Sequence, residues 1–228
     1  MTQNRFSKAV SRAKASPKIK IFDVIETPSE RRLETLSDGV FAVAMTLLVL
    51  DIKLPSISND ISAAEYGSVI WALWPKVGVF VLSFVVLARA WELHRYVFSF
   101  LVRYDHTLIY LNMAYLMAIV ILPFSTSLVG EHSRIELSAV IYAMNFLPIA
   151  GFKFLIWNYA THNHRLVKRE LRSSVVRWLK RRLILSIVVI IVAIVTALFS
   201  PQASILLLLL YQLTMLIVPF FRRSLQTN

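Results

Sequence analysis

The chain has 228 residues, 57% of them hydrophobic, and its mean hydropathy is +0.64, which excludes an ordinary water-soluble domain. Its formal net charge of +12 fits nucleic acid or a membrane surface, but the bases flank apolar runs, so the membrane is favoured and nucleic acid is not an expected partner.

Residues 1–30 are polar and basic and contain Pro17 and Pro28. They read as a cytoplasmic tail lying free or against anionic lipid headgroups. No short apolar stretch with a small-residue cleavage site follows, so no cleavable signal peptide is expected. Six apolar segments come next, each to be compared with the roughly 20 residues a membrane-crossing helix needs. They run from Leu36 to Leu54, from Tyr66 to Ala88 with Lys76 inside, from Thr107 to Gly130, from Leu137 to Tyr159 with Lys153 inside, from Leu183 to Phe199, and from Ala203 to Phe221. Ser200-Pro201-Gln202 reads as a tight turn between the last two. The expected fold is therefore all-α and polytopic, with six transmembrane helices per subunit. A basic tail at 1–30, a transmembrane domain at 31–223 and a short C-terminal tail at 224–228 complete the division.

The bases set the orientation. Of the 25 Lys and Arg, 21 fall in residues 1–32, 89–103, 165–182 and the pair Arg222 and Arg223. Six spans bring all four groups to one side, leaving Lys53, Lys76 and Arg134 on the other. The positive-inside rule then puts both termini in the cytoplasm of a multi-pass cell-membrane protein. The stretch 165–182 has a second reading, a basic amphipathic surface helix with Leu166, Leu171, Val175, Val176 and Leu179 on its apolar side.

The first span differs from the rest. Its uncharged stretch from Gly39 to Leu50 covers only about 18 Å. Asp38 and Asp51 therefore fall near or within the apolar slab, where carboxylates face protein or water rather than lipid. The first span reads as central and the charge-free sixth as peripheral. Gly39, Val43, Thr46, Leu47 and Leu50 share one helical stripe, which by periodicity alone reads as ordinary helix packing.

Arg32, the run Leu36-Ser37-Asp38-Gly39-Val40-Phe41-Ala42, and Thr46-Leu47-Leu48-Val49-Leu50 resemble the first-helix signature of the transmembrane protein 175 family. That family comprises lysosomal potassium channels and their bacterial relatives. Leu36 stands where the family usually has Phe. The resemblance continues through Ser83-Phe84, Trp91-Glu92-Leu93-His94, Asp105, Leu111-Asn112 and Pro123-Phe124-Ser125-Thr126, whereas residues 160–228 match only as apolar spans with basic flanks.

The resemblance implies a homotetramer of six-span subunits whose first helices line a central pore, conducting potassium with weak preference over sodium. It implies no glycine-rich filter loop, and the five Gly, at 39, 67, 78, 130 and 151, form none. It places Val43, Leu47 and Leu50 at the pore constriction and Thr46 at a pore-facing position that contributes to selectivity. Val43 is smaller than the family's usual Leu or Ile, which leaves Val43 and Leu47 as alternatives for the narrowest ring. Asp51 is a candidate pore-mouth residue that Lys53 opposes. Arg32, Ser37, Asp38, Trp91, His94, Asp105 and Asn112 form an implied structural network at the cytoplasmic helix ends. In it Asp38 is expected to pair with Arg32, His94 or both, and Ser37 or Asp38 has the alternative role of helix N-cap.

Rival classes leave weaker marks. The absence of Cys removes thiolate sites, and His162-Asn163-His164 lacks further ligands at metal spacing, so no metal beyond permeating potassium and no cofactor is expected. Paired catalytic carboxylates, a phosphate loop and an HExxH pattern are missing, which argues against an enzyme. A secondary transporter or a proton-conducting protein is the alternative, although residues 36–130 and 137–221 share no repeat.

Overall fold

A computed structural model describes the backbone over residues 21–53, 62–132 and 134–224, and side chains over 32–53, 62–132 and 134–214. Residues 1–20 and 225–228, and with them most of both expected tails, lie outside the described residues, as does Leu54 at the expected end of the first span. The described chain is helical: α1 (Ile21–Leu47), α2 (Ala63–Trp71), α3 (Trp74–Phe98), α4 (His106–Glu131), α5 (Glu136–Thr161), α6 (Ser173–Ala197) and α7 (Pro201–Ser224).

Local chemistry sets the helix ends. Ser62 and Glu65 form a reciprocal capping box at the start of α2. α2 and α3 break at Ala72 and Leu73, where the rings of Trp71 and Trp74 stack 6.0 Å apart and Pro75 fills the first turn of α3. Asp105 caps α4 by accepting from Leu108 N at 2.9 Å. Ser200 Oγ accepts from Ala203 N at 3.3 Å, with Pro201 opening α7, so the expected turn is also the cap of the last helix.

Several boundaries differ from the sequence reading. α1 reaches back to Ile21, into the segment read as tail, and Ser37 and Asp38 therefore lie in mid-helix and cannot cap it. The second segment is two helices, and α3 continues to Phe98, beyond the Ala88 expected. The surface-helix reading of 165–182 also fails. Residues 173–182 are the opening turns of α6, and they dock on the bundle: Leu179 is fully buried, Lys180 Nζ donates to Asn158 Oδ1 at 2.9 Å, and Trp157 Nε1 donates to Val176 O at 3.3 Å.

α4 and α5 pack along their length at the centre, with α1 and α3 against α4, α6 against α5, and α7 against α6. Phe41, Leu87, Leu108, Tyr115, Ile119, Leu122, Tyr142 and Trp157 fill the core between them. Among the described residues, four stretches are long and apolar enough to cross a membrane, Arg32–Asp51, Ala63–Phe98, His106–Glu131 and Glu136–His164, and Pro201–Thr214 is a shorter apolar helix. The described residues thus form an all-helical bundle with helices fit to cross a membrane.

Candidate functional site

The two faces of α1 have opposite fates. Leu33, Ser37, Phe41, Ala44 and Leu48 turn into the bundle and are buried. Leu36, Val43, Leu47 and Leu50 remain uncovered, Val43 at 58%, Leu47 at 40% and Leu50 at 63% exposure. Thr35, Gly39 and Thr46 are exposed with them. A shallow apolar groove follows this face, lined by Arg32, Thr35, Leu36, Gly39, Val40, Val43 and, from α4, Val120.

After Leu47 the helix tightens into a 3₁₀ turn, Leu48–Asp51. At three residues per turn, side chains three apart eclipse, so Leu50 falls in line with Leu47. Val43 stands one α-turn before Leu47, and the three residues make one stripe. Thr46 Oγ1 donates its proton to Val43 O at 2.8 Å. Its lone pairs are left for an incoming donor or cation. Asp51 is half-buried and lines a small recess together with Lys76 and Glu131.

Five of the seven residues of the expected network fall into three groups, and Arg32 and His94 stand outside them. In the first, Asn112 Nδ2 donates to Ser37 Oγ at 3.0 Å and Ser37 Oγ donates to Leu33 O at 2.8 Å, joining α4 to α1. In the second, Trp91 Nε1 donates to Asp38 Oδ1 at 2.7 Å, joining α3 to α1. Among the described residues Asp38 forms no ion pair with Arg32 or His94: Arg32 is exposed on the groove, and His94 is buried with another partner. In the third, Asp105 caps α4 and accepts from Tyr159 of α5 at 2.5 Å, with Arg165 Nε 3.9 Å away.

His94 instead meets Lys153. Lys153 Nζ lies 2.6 Å from His94 Nδ1 and 3.7 Å from the centre of the Tyr115 ring. The His94 ring stacks on Tyr115 at 5.4 Å and packs against Phe98 at 4.1 Å. Sequence reasoning placed Lys153 in a span but gave it no partner, and no sequence rule pairs two bases. Farther along the bundle, Thr126 Oγ1 donates to Ser83 Oγ at 2.9 Å, and Ser83 meets Tyr142 OH at 3.0 Å, linking α3, α4 and α5. Among the described residues no three His, Asp or Glu side chains converge on a metal position, and His162 and His164 are exposed.

The family described as "Endosomal/lysosomal potassium channel TMEM175" matches residues 32–123. A relative from Chamaesiphon minutus, named a potassium channel, is 35% identical over 153 residues, which are 64% of this chain and 75% of the relative. The chain belongs to the TMEM175 family. A crystal structure described as a lysosomal potassium-selective channel TMEM175 homolog from Chamaesiphon minutus superposes with a TM-score of 0.74 at 28% identity, covering 83% of this chain and 97% of that one. The rat relative, named an endosomal/lysosomal proton channel TMEM175, is 28% identical over 71% of this chain, and the chain spans about a third of its length. TMEM175 proteins are ion channels, not enzymes, and the chain is a membrane protein of that family.

Proposed function

We propose that the protein is a potassium-conducting channel, weakly selective over sodium, in which the first helices of four copies surround an axial path. The observation that carries this reading is the uncovered stripe of α1. Its Val43, Leu47 and Leu50 are interspersed with Gly39 and Thr46 and bounded by Arg32 and Asp51. The exposed face of α6 has another character: Ile184, Leu185, Val188, Ile191, Val192 and Val195 offer only large apolar groups, as lipid requires. A face mixing small, hydroxyl and apolar groups suits a helix that meets its own copies and a water path.

Stacked rings of Val43, Leu47 and Leu50 hold back water and force an ion to shed part of its hydration. Potassium holds water less tightly than sodium and passes more readily. The Thr46 oxygen, its own proton committed to Val43 O, replaces part of the lost hydration. Asp51 at the far mouth raises the local cation concentration. Arg32, Ser37, Asp38, Trp91, His94, Asp105 and Asn112 hold the lining helix to its neighbours. In this reading residues 31–223 form the channel domain with six spans, α2 and α3 together making the second. The apolar part of α6, residues 183–197, is about 22 Å long and is completed by Arg182 reaching to the interface. Both termini lie in the cytoplasm.

The test is current recording of the purified protein in planar bilayers with potassium and sodium on opposite sides. Single-channel steps reversing toward the potassium potential are expected, and Leu47→Ala or Leu47→Ser moves the reversal toward sodium. Saturable flux coupled to a second solute, without steps, sinks the reading in favour of a transporter. The proton-channel names of the animal relatives favour a second reading, proton conduction. A reversal that follows an imposed pH gradient and ignores potassium selects it.

A further inference from the structure

A second cleft opens between α3, α5, α6 and α7, and its lining residues include none from α1. Three basic residues line it: Arg89 from α3, Lys153 from α5 and Arg182 from α6. Each stands about two and a half turns, roughly 13 Å, from the basic-side end of its helix, so the three share one depth. Beyond them, away from the basic segments, the wall turns apolar with Val86, Phe146 and Ile190. Ser186 Oγ and Tyr211 OH are hydrogen-bonded to each other in the same cleft.

The local charge is unbalanced. Arg89 pairs with Glu92, whose side chain is exposed. Arg182 is half-buried and close enough to Arg89 and to Glu92 for both charges to act on it, so one carboxylate serves two guanidinium groups; it lies over the Trp178 ring at 5.5 Å, and among the described residues it forms no salt bridge of its own. A guanidinium at the edge of an apolar slab is costly without an anion. The free volume is about 90 Å³, the share of about three waters. That suits a phosphate group and is far too small for a drug-sized ligand.

We propose that this cleft binds the phosphate of an anionic phospholipid from the leaflet on the side of the basic segments, with the acyl chains leaving along the apolar wall. The guanidinium groups of Arg89 and Arg182 at one level, with hydrocarbon beyond them, match a lipid's own division into headgroup and tail. Basic pockets between transmembrane helices bind such headgroups by charge-assisted hydrogen bonds. The proposal rests on the membrane assignment and is independent of which ion permeates.

The experiment is native mass spectrometry of the full-length protein released from nanodiscs of equal phosphatidylglycerol and phosphatidylcholine. The wild type retains phosphatidylglycerol preferentially. Arg182→Gln lowers that retention about fivefold, Arg182→Lys restores part of it, and Arg181→Gln, the same charge change at the exposed neighbour, leaves it unchanged. Equal retention of both lipids by the wild type overturns the proposal, as does an equal loss in Arg181→Gln, which marks nonspecific attraction. A measurement without variants complements it. Added phosphatidylglycerol raises the unfolding temperature of the detergent-solubilised wild type, whereas phosphatidylcholine and inorganic phosphate do not. An equal rise with inorganic phosphate overturns the lipid as occupant.

Discussion

Trp91 and Asp38 meet where α3 crosses α1: the indole Nε1–H donates to Asp38 Oδ1 at 2.7 Å, while Arg95 lies over the same indole at 4.8 Å. The bond fixes the rotation of α1 about its own axis. Ser37, one residue earlier, faces Asn112 on α4. With adjacent residues tied to different neighbours, the helix cannot turn its Val43–Leu50 stripe elsewhere without breaking both. Trp91→Phe keeps a ring for Arg95 and removes only the donor. It is expected to cost about 1 to 2 kcal/mol, seen as a lower unfolding temperature in detergent. Asp38→Asn keeps an acceptor oxygen and loses less than Asp38→Ala. Equal losses in the two Asp38 variants would refute a hydrogen-bonding role for that oxygen.

The same contact marks how far the sequence carried. Spans of about 20 apolar residues stand out, and α4 and α5 begin and end within two residues of the segments read for them. α3 ran ten residues past its expected end because Arg89 and Glu92 look like a membrane exit in sequence, whereas one helical turn pairs them. Asp38 was matched to Arg32 or His94 on charge, but its partner is neutral, and a neutral donor carries no charge signal. The stripe of α1 was legible from spacing, and its exposure required the coordinates. Lys153 was the least legible, since its partner lies 59 positions away and is itself a base.

That pair gives the second prediction. Lys153 Nζ is enclosed by His94 Nδ1 and the Tyr115 ring, and both Lys153 and His94 are 2% exposed. Lys153→Ala opens a cavity and strips His94 of its partner, for an expected loss of about 3 kcal/mol. Lys153→Met fills the space and costs less. Joining it to His94→Leu removes both polar groups, so the double variant is expected to be more stable than the sum of the single losses gives. Thermal unfolding of the four proteins checks this cycle, and strictly additive losses would show that the two groups are uncoupled.

A third prediction separates the oxygen of Thr46 from its shape. Thr46→Val preserves volume and branching but removes the hydroxyl that donates to Val43 O. One lost oxygen ligand per subunit is expected to lower the potassium-to-sodium permeability ratio about two- to tenfold, read from reversal potentials. Thr46→Ser retains the oxygen and the wild-type ratio. An unaltered ratio in Thr46→Val assigns Thr46 to helix packing alone.

The last prediction asks what covers the exposed face of α1. A Cβ built on Gly39 meets nothing within 4 Å, so within one protomer this position has room for a side chain. Replacing an exposed mid-helix glycine by a larger helix former favours the helix by up to about 1 kcal/mol. Gly39→Leu is therefore expected to leave the protomer folded, with unchanged helix content. If α1 faces lipid, the added Leu is also harmless to assembly. If four copies of α1 converge, the new side chains collide where the glycines allow close approach, and the oligomer is lost or its conduction blocked. Light scattering on the detergent-solubilised protein, beside bilayer currents, distinguishes the two. We expect a smaller particle or a silent one. An oligomer of unaltered mass with normal currents would place α1 away from the axis and remove Val43, Leu47 and Leu50 from the permeation path.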